Sequence, residues 1–491
     1  MTCDFAAGRE SEDAEPIRSL GFRAMKSRQT EAWQPARWRE LFRGPLGRLT
    51  TGLLLLEALV AAEALIVTTV LPAVERDLGG IQYYGWAFAA GSLATFATIP
   101  LAGRATDRYG PKWPLALALA VYLAGLVGAA LTPSMLILVL MRFVQGCGGG
   151  GLYSITLGAV AKAYPDNLRP RVLALQASMW ILPGLLGPPL GALIASTIGW
   201  RWAFVAPVPF IAVSTVLILP AMAAVKVGPA AEVHLPIRWP VQLMVGAGLF
   251  LAGATQLSWW SILLVPVGLL IGLPALARIT PPGTLRARRG LPAAAMAMFL
   301  LSVAFGAAEG FIPLMLTKVR GLSLAEAGVV VTLVTIGWSL GNWWQSREMG
   351  RLGSVRLVTL GDAMLVVGIA GGGVALFYGP IALPYVAWSI AGIGMGVAFP
   401  TIPLAVMSAT SAGSEASELS STLLMDNLGI AVGAGLGGAS IAIAHNAVTG
   451  SMKAGLQAGL AGAFALGLVA AIAIFPVARR LPTEGSVDSA A

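Results

Sequence analysis

The stretch LTTGLLLLEALVAAEALIVTTVLP, residues 49–72, is long and apolar enough to cross a bilayer, yet it holds two carboxylates, Glu57 and Glu63. About 20 apolar residues rising 1.5 Å each span the hydrocarbon layer as a helix. Ionisable groups are expensive there and mark functional positions by default. Working outward, further stretches of the same kind lie near residues 83–103, 114–133, 135–160, 171–196, 201–223, 240–257, 258–279, 291–316, 325–345, 356–378, 381–406, 419–444 and 453–476. Together they predict an all-α integral membrane protein of 14 spans, with four acids (Glu57, Glu63, Glu309 and Asp426) and one arginine, Arg142, embedded in them.

Composition agrees. The 491 residues are 57% hydrophobic and 11% charged, against roughly 25% charged in a soluble domain, and the mean hydropathy is +0.79. The net charge of +9 does not point to nucleic acid, because the basic residues fall in short segments between apolar runs. If the N-terminus is cytoplasmic, five basic residues (Arg76, Arg201, Lys318, Arg320 and Lys453) lie in outside segments, and Arg142 lies inside a span. All the others fall in inside segments, so both termini are assigned to the cytoplasm by the positive-inside rule. Cys3 and Cys147, one in the polar tail and one in a span, cannot pair. The first 48 residues are polar and lack the apolar core of a cleavable signal. Within them, WQPARWRELFR at 33–43 reads either as a helix laying Trp38, Leu41 and Phe42 against headgroups or as a disordered tail. His234 and His445 have no partner at metal-ligand spacing.

A constant offset of 246 residues groups the spans. AAE at 61–63 recurs at 307–309; Gly187 and Gly191 match Gly433 and Gly437; Gly146, Gly148 and Gly150 match Gly392, Gly394 and Gly396. The chain therefore divides into a cytoplasmic tail at 1–48, a six-helix bundle at 49–223, a linker with two extra spans at 224–290, a second six-helix bundle at 291–476 and a tail at 477–491. Parallel halves of this kind place a binding cavity at their interface near the midplane.

Three motifs stand in order. GRATDRYGPK at 103–112 reads as a tight basic connection in which glycines permit reversal and an acid among bases locks helix ends. RFVQGCGGGG at 142–151 sets Arg142 and Gln145 one turn apart inside the membrane. PGLLGPPLGA at 183–192, with Pro183, Gly184, Gly187, Pro188 and Gly191, thins and kinks its span so that a neighbour approaches closely.

These residues resemble the major facilitator superfamily, over about residues 49–480. GRATDRYGPK is similar to that family's loop signature GxLaDrxGrk, with Arg104-Ala105 replacing the leading leucine. RFVQG is similar to the RxxQG signature, and LLGPPLGA resembles the GPxxGG signature of the drug:proton antiporters, with Ala192 at its last glycine. AEALIVTTVLP at 62–72 resembles the first-span LDxTIVNVALP pattern with Glu63 in place of Asp, and WRWAF at 200–204 resembles the start of span six in these exporters. The equivalent loop of the second half, QSREMGRLGSVR at 345–356, keeps Arg351 and Gly353 but no matching acid, and Trp388 stands where the offset places Arg142. The resemblance implies the 14-span branch: two six-helix bundles plus two inserted helices, rocking by alternating access.

Depth counting at 1.5 Å per residue puts Glu63 about 13 Å and Arg142 about 11 Å from the outer face. A Glu63–Arg142 pair or shared proton site is therefore expected to couple protons, with Glu309, about 10 Å deep, as a second acid, and a purely structural pair as the competing reading. Glu57 and Asp426, about 12 and 10 Å from the cytoplasmic face, are expected with Gln145 to face substrate, unless water at the boundary simply solvates them. Trp180, Trp338 and Trp388 are candidates for an aromatic cavity for planar cations, with Trp343 and Trp344 beside them, or belong to interface belts. Gly103, Asp107, Arg108, Gly110 and Lys112 are expected to form a conformational latch.

The expected function is proton-coupled efflux of lipophilic cationic small molecules from the cytoplasm across the cell membrane, a multidrug and antibiotic-resistance activity. Its partners are substrate, protons and the bilayer; no nucleic acid, metal or cofactor beyond the proton gradient is called for, and a monomer is expected. Export of a lipid or natural product, and a proton-coupled importer or facilitator, are the alternatives. An enzyme is disfavoured because no HExxH, GxSxG or phosphate-cradling loop occurs.

Overall fold

The computed structural model describes residues 38–165, 168–223, 236–255, 260–410, 415–447 and 451–482. Cys3, His234 and residues 33–37 of the tail segment lie outside them. α1 (Gly44–Leu78) starts on Pro45, whose missing N–H costs nothing in a first turn. It ends at Gly79, φ 65°. Ahead of it, Trp38–Phe42 forms a 3-10 turn instead of a helix along headgroups: Leu41 is buried and its carbonyl accepts from Thr50 Oγ1 at 2.8 Å, while Phe42 is exposed.

The rest of the first bundle is α2 (Tyr84–Tyr109), α3 (Lys112–Ala130), α4 (Met135–Ala163), α5 (Arg169–Ser178), α6 (Ile181–Ile194), α7 (Arg201–Val205) and α8 (Val208–Ala223). The expected span at 171–196 is thus broken at Met179–Trp180 and continues past α6 in a π-helical turn, Ala195–Gly199. α9 (Arg238–Thr255) and α10 (Ser261–Ile279) pair as a hairpin. The second bundle contains α11 (Leu291–Gly306), α12 (Ile312–Lys318), α13 (Leu324–Ala375), α14 (Ala382–Ser408), α15 (Glu415–Ala447) and α16 (Met452–Ala478).

Among the described residues, 11 helical segments are long and apolar enough to cross a membrane; α10 is counted as a shorter apolar helix and α9 is not among them. The expected spans at 325–345 and 356–378 both fall in α13. Gly353 inside it has φ 72°, ψ 167°, a non-helical geometry. A Cβ on Gly337 would sit 2.6 Å from Ser389 O, and one on Gly368 2.6 Å from Ala387 O. Residues 31 apart would be about 46 Å apart on a straight helix, yet both meet the same turn of α14. α13 is therefore two helices folded back on each other at Gly353.

Bonds at the helix ends fix alternating directions. Thr50–Tyr164 (2.8 Å), Lys162–Asp107 (2.8 Å) and Ser354–Pro482 (3.2 Å) hold the end where α1 begins, here the basal end. At the opposite, distal end, Asp77 accepts from Trp200 Nε1 at 3.0 Å and Arg201 Nη1 at 2.8 Å, which gives WRWAF a structural task.

Helices in lipid gain little by hiding leucine, so close approach of small residues holds them. The 246-residue repeat is such a seam. Gly146 meets Gly91 where α4 crosses α2, and Gly392 meets Val334 near the equivalent crossing of α14 and α13. The hairpin bridges the bundles: Leu243 and Leu251 pack with Leu93 and Phe96 of α2 and Leu424 and Leu428 of α15, and Trp86 Nε1 donates to Thr255 Oγ1 at 3.0 Å.

The bundles touch at the distal end and a short way below it. Lys318 pairs with Glu75 at 2.7 Å, Tyr84 donates to Gly310 O at 3.1 Å, and Gly85 lies against Gly438. A Cβ on Gly328 would meet Thr69 at 3.0 Å.

Candidate functional site

Four helices of the first bundle converge on one ion pair. Arg142 of α4 donates from Nη1 to Glu63 Oε1 of α1 at 2.6 Å and to Gln145 Oε1 at 2.6 Å, and from Nε to Ala87 O of α2 at 3.2 Å. Tyr122 of α3 donates to the other Glu63 oxygen at 3.2 Å. Local sequence explains the convergence. Gly125 brings α3 so near α4 that a Cβ there would sit 2.5 Å from Gln145 N, and this places Tyr122, one turn earlier, against the site. Glu63 and Arg142 side chains are 5% and 13% exposed. A planar guanidinium with fixed donors suits this task, since it serves three acceptors at once.

The internal repeat is broken here. Trp388, at the position equivalent to Arg142, is fully buried and stacks on Phe305 at 5.6 Å with a 10° interplanar angle; Trp338 meets Phe305 edge-on at 5.5 Å and Phe399 at 5.5 Å. The second bundle thus has an aromatic core where the first has charges. The shared AAE diverges too. Glu63 lies in regular helix, but Glu309 lies in a 3-10 turn, Glu309–Phe311, between α11 and α12. Pro313 has no N–H to give the Glu309 carbonyl four residues back, so the helix breaks. The Glu309 side chain is half-buried, and Lys318, the base at the end of its span, pairs instead with Glu75 of α1 at 2.7 Å.

Toward the basal end, acids from both bundles come within electrostatic reach of one tyrosine. Glu57, six residues and about 9 Å along α1 from Glu63, accepts from Trp180 Nε1 at 2.9 Å. Asp426 of α15 accepts from Ser302 of α11 at 2.6 Å. Tyr153 of α4 is exposed although it is within electrostatic reach of both Glu57 and Asp426. Trp343 is exposed with Arg347 3.5 Å above its ring.

The latch residues are arranged differently from a loop. Gly103–Tyr109 continue α2, and reversal is confined to Gly110, φ 77°, and Pro111. Asp107 in the last turn pairs with Lys162 at the end of α4; Arg108 lies over Tyr109 and Lys112 over Trp113. Of the antiporter-like motif, Pro183, Gly184, Gly187, Pro188 and Gly191 are buried. Gly184 abuts Thr335 of α13 and Gly191 faces Ile66 of α1 at 3.1 Å, so this stretch seats α6 against both bundles.

Sequence reading missed Tyr122, Tyr153 and Ser302, which carry no charge to draw notice among apolar neighbours. It also missed Asp362, an acid inside the expected span at 356–378 and the easiest to find by charge counting. Asp362 is fully buried, and neither carboxyl oxygen has a hydrogen-bond partner among the described residues. No group of three His, Cys, Asp or Glu among those residues is placed to hold a metal ion.

Known proteins share this architecture. The chain is 28% identical over 473 residues to a probable multidrug-efflux transporter of Mycobacterium tuberculosis, covering 91% of this chain and 98% of that protein. It is 24% identical over 378 residues to the multidrug transporter protein MdtP of Bacillus subtilis, covering 73% and 68%. A solved bacterial homologue of the human lysosomal transporter Spinster, in an inward-facing and unoccupied conformation, superposes with a TM-score of 0.64 at 15% identity, over 88% of this chain and 96% of that one. The family model of the Major Facilitator Superfamily matches residues 53–434, most of the chain, which therefore belongs to that superfamily of membrane transporters.

Proposed function

We propose that this transporter is a proton-coupled exporter of lipophilic cations working by alternating access, with 14 spans and both termini in the cytoplasm. The folded-back α13 contributes two crossings and the α9–α10 hairpin two more. The observation that carries the reading is the buried Glu63–Arg142 pair held by Gln145 and Tyr122. The efflux names of its relatives support the direction of transport.

With Glu63 ionised, the pair is neutral overall. When Glu63 takes a proton, Arg142 keeps Gln145 Oε1 and the Ala87 carbonyl but becomes an uncompensated positive charge. In a low-dielectric interior that field acts on a cation in the adjoining chamber. Proton entry and cation release are thereby tied together, and loss of the proton readmits a cation. Glu57 and Asp426 supply negative charge from opposite bundles, and Trp180 and Tyr153 supply ring faces for a planar cation. Closure at the distal end by Glu75–Lys318 and Gly85–Gly438 matches a chamber facing the cytoplasm. Glu309 is the second acid of the cycle, and the Asp107–Lys162 pair latches the basal ends of α2 and α4.

The test is substrate-driven proton release from protein reconstituted in liposomes, with an ethidium-like cation as substrate. Glu63→Gln is expected to abolish release in a protein that still folds, although it melts below the wild type because Arg142 loses its counter-charge. Unchanged release in Glu63→Gln, or loss confined to Glu309→Gln, would remove the reading. A fluorescent lipid probe carried instead of the cation would favour lipid export.

A further inference from the structure

Between Glu232 and Glu309 the chain contains no acid, but it contains Arg238, Arg278, Arg286, Arg288 and Arg289. The positive-inside tendency accounts for their sign. It does not account for how they are held. Residues 280–290, joining the hairpin to the second bundle, form a closed turn at the basal end. Ala287 N donates to Thr284 O at 2.9 Å and Arg288 N to Gly283 O at 3.2 Å. The last helix locks it: Arg480 Nη1 donates to Ala287 O at 3.1 Å, and Gly290 N donates to Arg480 O at 2.8 Å. Ala287 has φ 44°, the sole positive φ of a non-glycine among the described residues. A strained backbone of this kind persists only where its surroundings over-determine it, and such places cluster at binding sites.

The turn encloses a cleft of about 280 Å³ lined by Thr280, Gly283, Thr284, Leu285, Arg286 and Arg288. Arg286 and Arg288 are exposed, and neither they, Arg278 nor Arg480 forms an ion pair among the described residues. Next to the cleft, Trp239 lies between Arg238 at 4.5 Å and Arg278 at 5.5 Å. A tryptophan flanked by guanidiniums marks headgroup depth. Leu285 on the rim is exposed, as are Leu270 and Leu273 of α10.

We propose that this cleft binds the phosphate of an anionic phospholipid. The guanidinium forks of Arg286 and Arg288 match a phosphodiester, and basic pockets between membrane helices recognise such headgroups. The exposed leucines on α10 select a lipid over a free anion, because they give its acyl chains a surface to follow. Since the turn ties α10 to α11 and to the end of α16, the bound lipid fastens the inserted hairpin onto the second bundle.

The test uses the full chain, purified and placed in nanodiscs of phosphatidylcholine with or without phosphatidylglycerol. Retained lipid is read by native mass spectrometry and stability by thermal melting. Phosphatidylglycerol is expected to stay bound and to raise the melting temperature, and Arg286→Gln/Arg288→Gln to bind it roughly thirtyfold more weakly. Arg286→Lys/Arg288→Lys, which keeps the charge but not the fork, should lie between. Arg347→Gln, on the same face but away from the cleft, should bind as wild type. An equal loss in Arg347→Gln would reduce the site to a generic basic surface and overturn the proposal, as would inorganic phosphate alone stabilising as well as the lipid. A double Gln variant that melts below wild type even in pure phosphatidylcholine transfers the decision to the Lys pair, whose unchanged binding would equally overturn it.

Discussion

Arg142 is held by three acceptors from two other helices and its own, and that arrangement sets the cost of disturbing it. Removing one partner of a buried ion pair strands the other, at about 3–5 kcal/mol, whereas removing both is far cheaper. Arg142→Ala is therefore expected to lower the melting temperature more than the double variant Arg142→Ala/Glu63→Gln does. Additive losses, measured in detergent micelles, would mean that the two side chains act independently. Arg142→Lys should not rescue transport, because an ammonium lacks the fixed fork that reaches Glu63, Gln145 and the Ala87 carbonyl together. At this scale the sequence was partly legible. Charge in an apolar run singled out Glu63 and Arg142, and similar depth paired them. Tyr122 was illegible, since a phenol in a span looks like any aromatic until Gly125 is seen to press α3 onto α4.

Among the elements, α13 turns on one residue. Gly353 has φ 72°, ψ 167°, a region open almost only to glycine, and no atom lies within 4 Å of where its Cβ would be. Any cost of Gly353→Ala is then pure backbone strain, about 1–3 kcal/mol. Gly350→Ala, with ordinary helical geometry and equal space, is the control and should be neutral or mildly stabilising. Equal melting of the two variants would show that the reversal is set elsewhere. The same scale explains why AAE misled as a sign of equal structure. Gly310 and Pro313 after Glu309 break a helix that alanine, leucine and isoleucine after Glu63 continue. The basic segment 345–356 predicted a loop between spans, and the structure compresses it into helix ends about a single glycine.

In the whole molecule, the two bundles are closed distally by the Glu75–Lys318 pair, Tyr84 on the Gly310 carbonyl, and Gly85 against Gly438. Lys318→Glu sets two carboxylates against each other and is expected to open the distal side, raising the labelling rate of a cysteine placed at Phe311. The reversed pair, Lys318→Glu/Glu75→Lys, should restore the wild-type rate. Labelling of Phe311→Cys that ignores both changes would mean that glycine packing alone holds the closure.

Hydropathy by itself determined a helical membrane protein and singled out Glu63 and Arg142 among its embedded charges, because the bilayer imposes length and polarity on every crossing one segment at a time. Which embedded charge meets which, why one repeat unit holds ions and the other stacks Trp388 on Phe305, and where Asp362 is hidden were decided only in the tertiary structure. Those outcomes depend on how closely glycines let neighbouring helices approach, a property of pairs of segments that no single segment encodes.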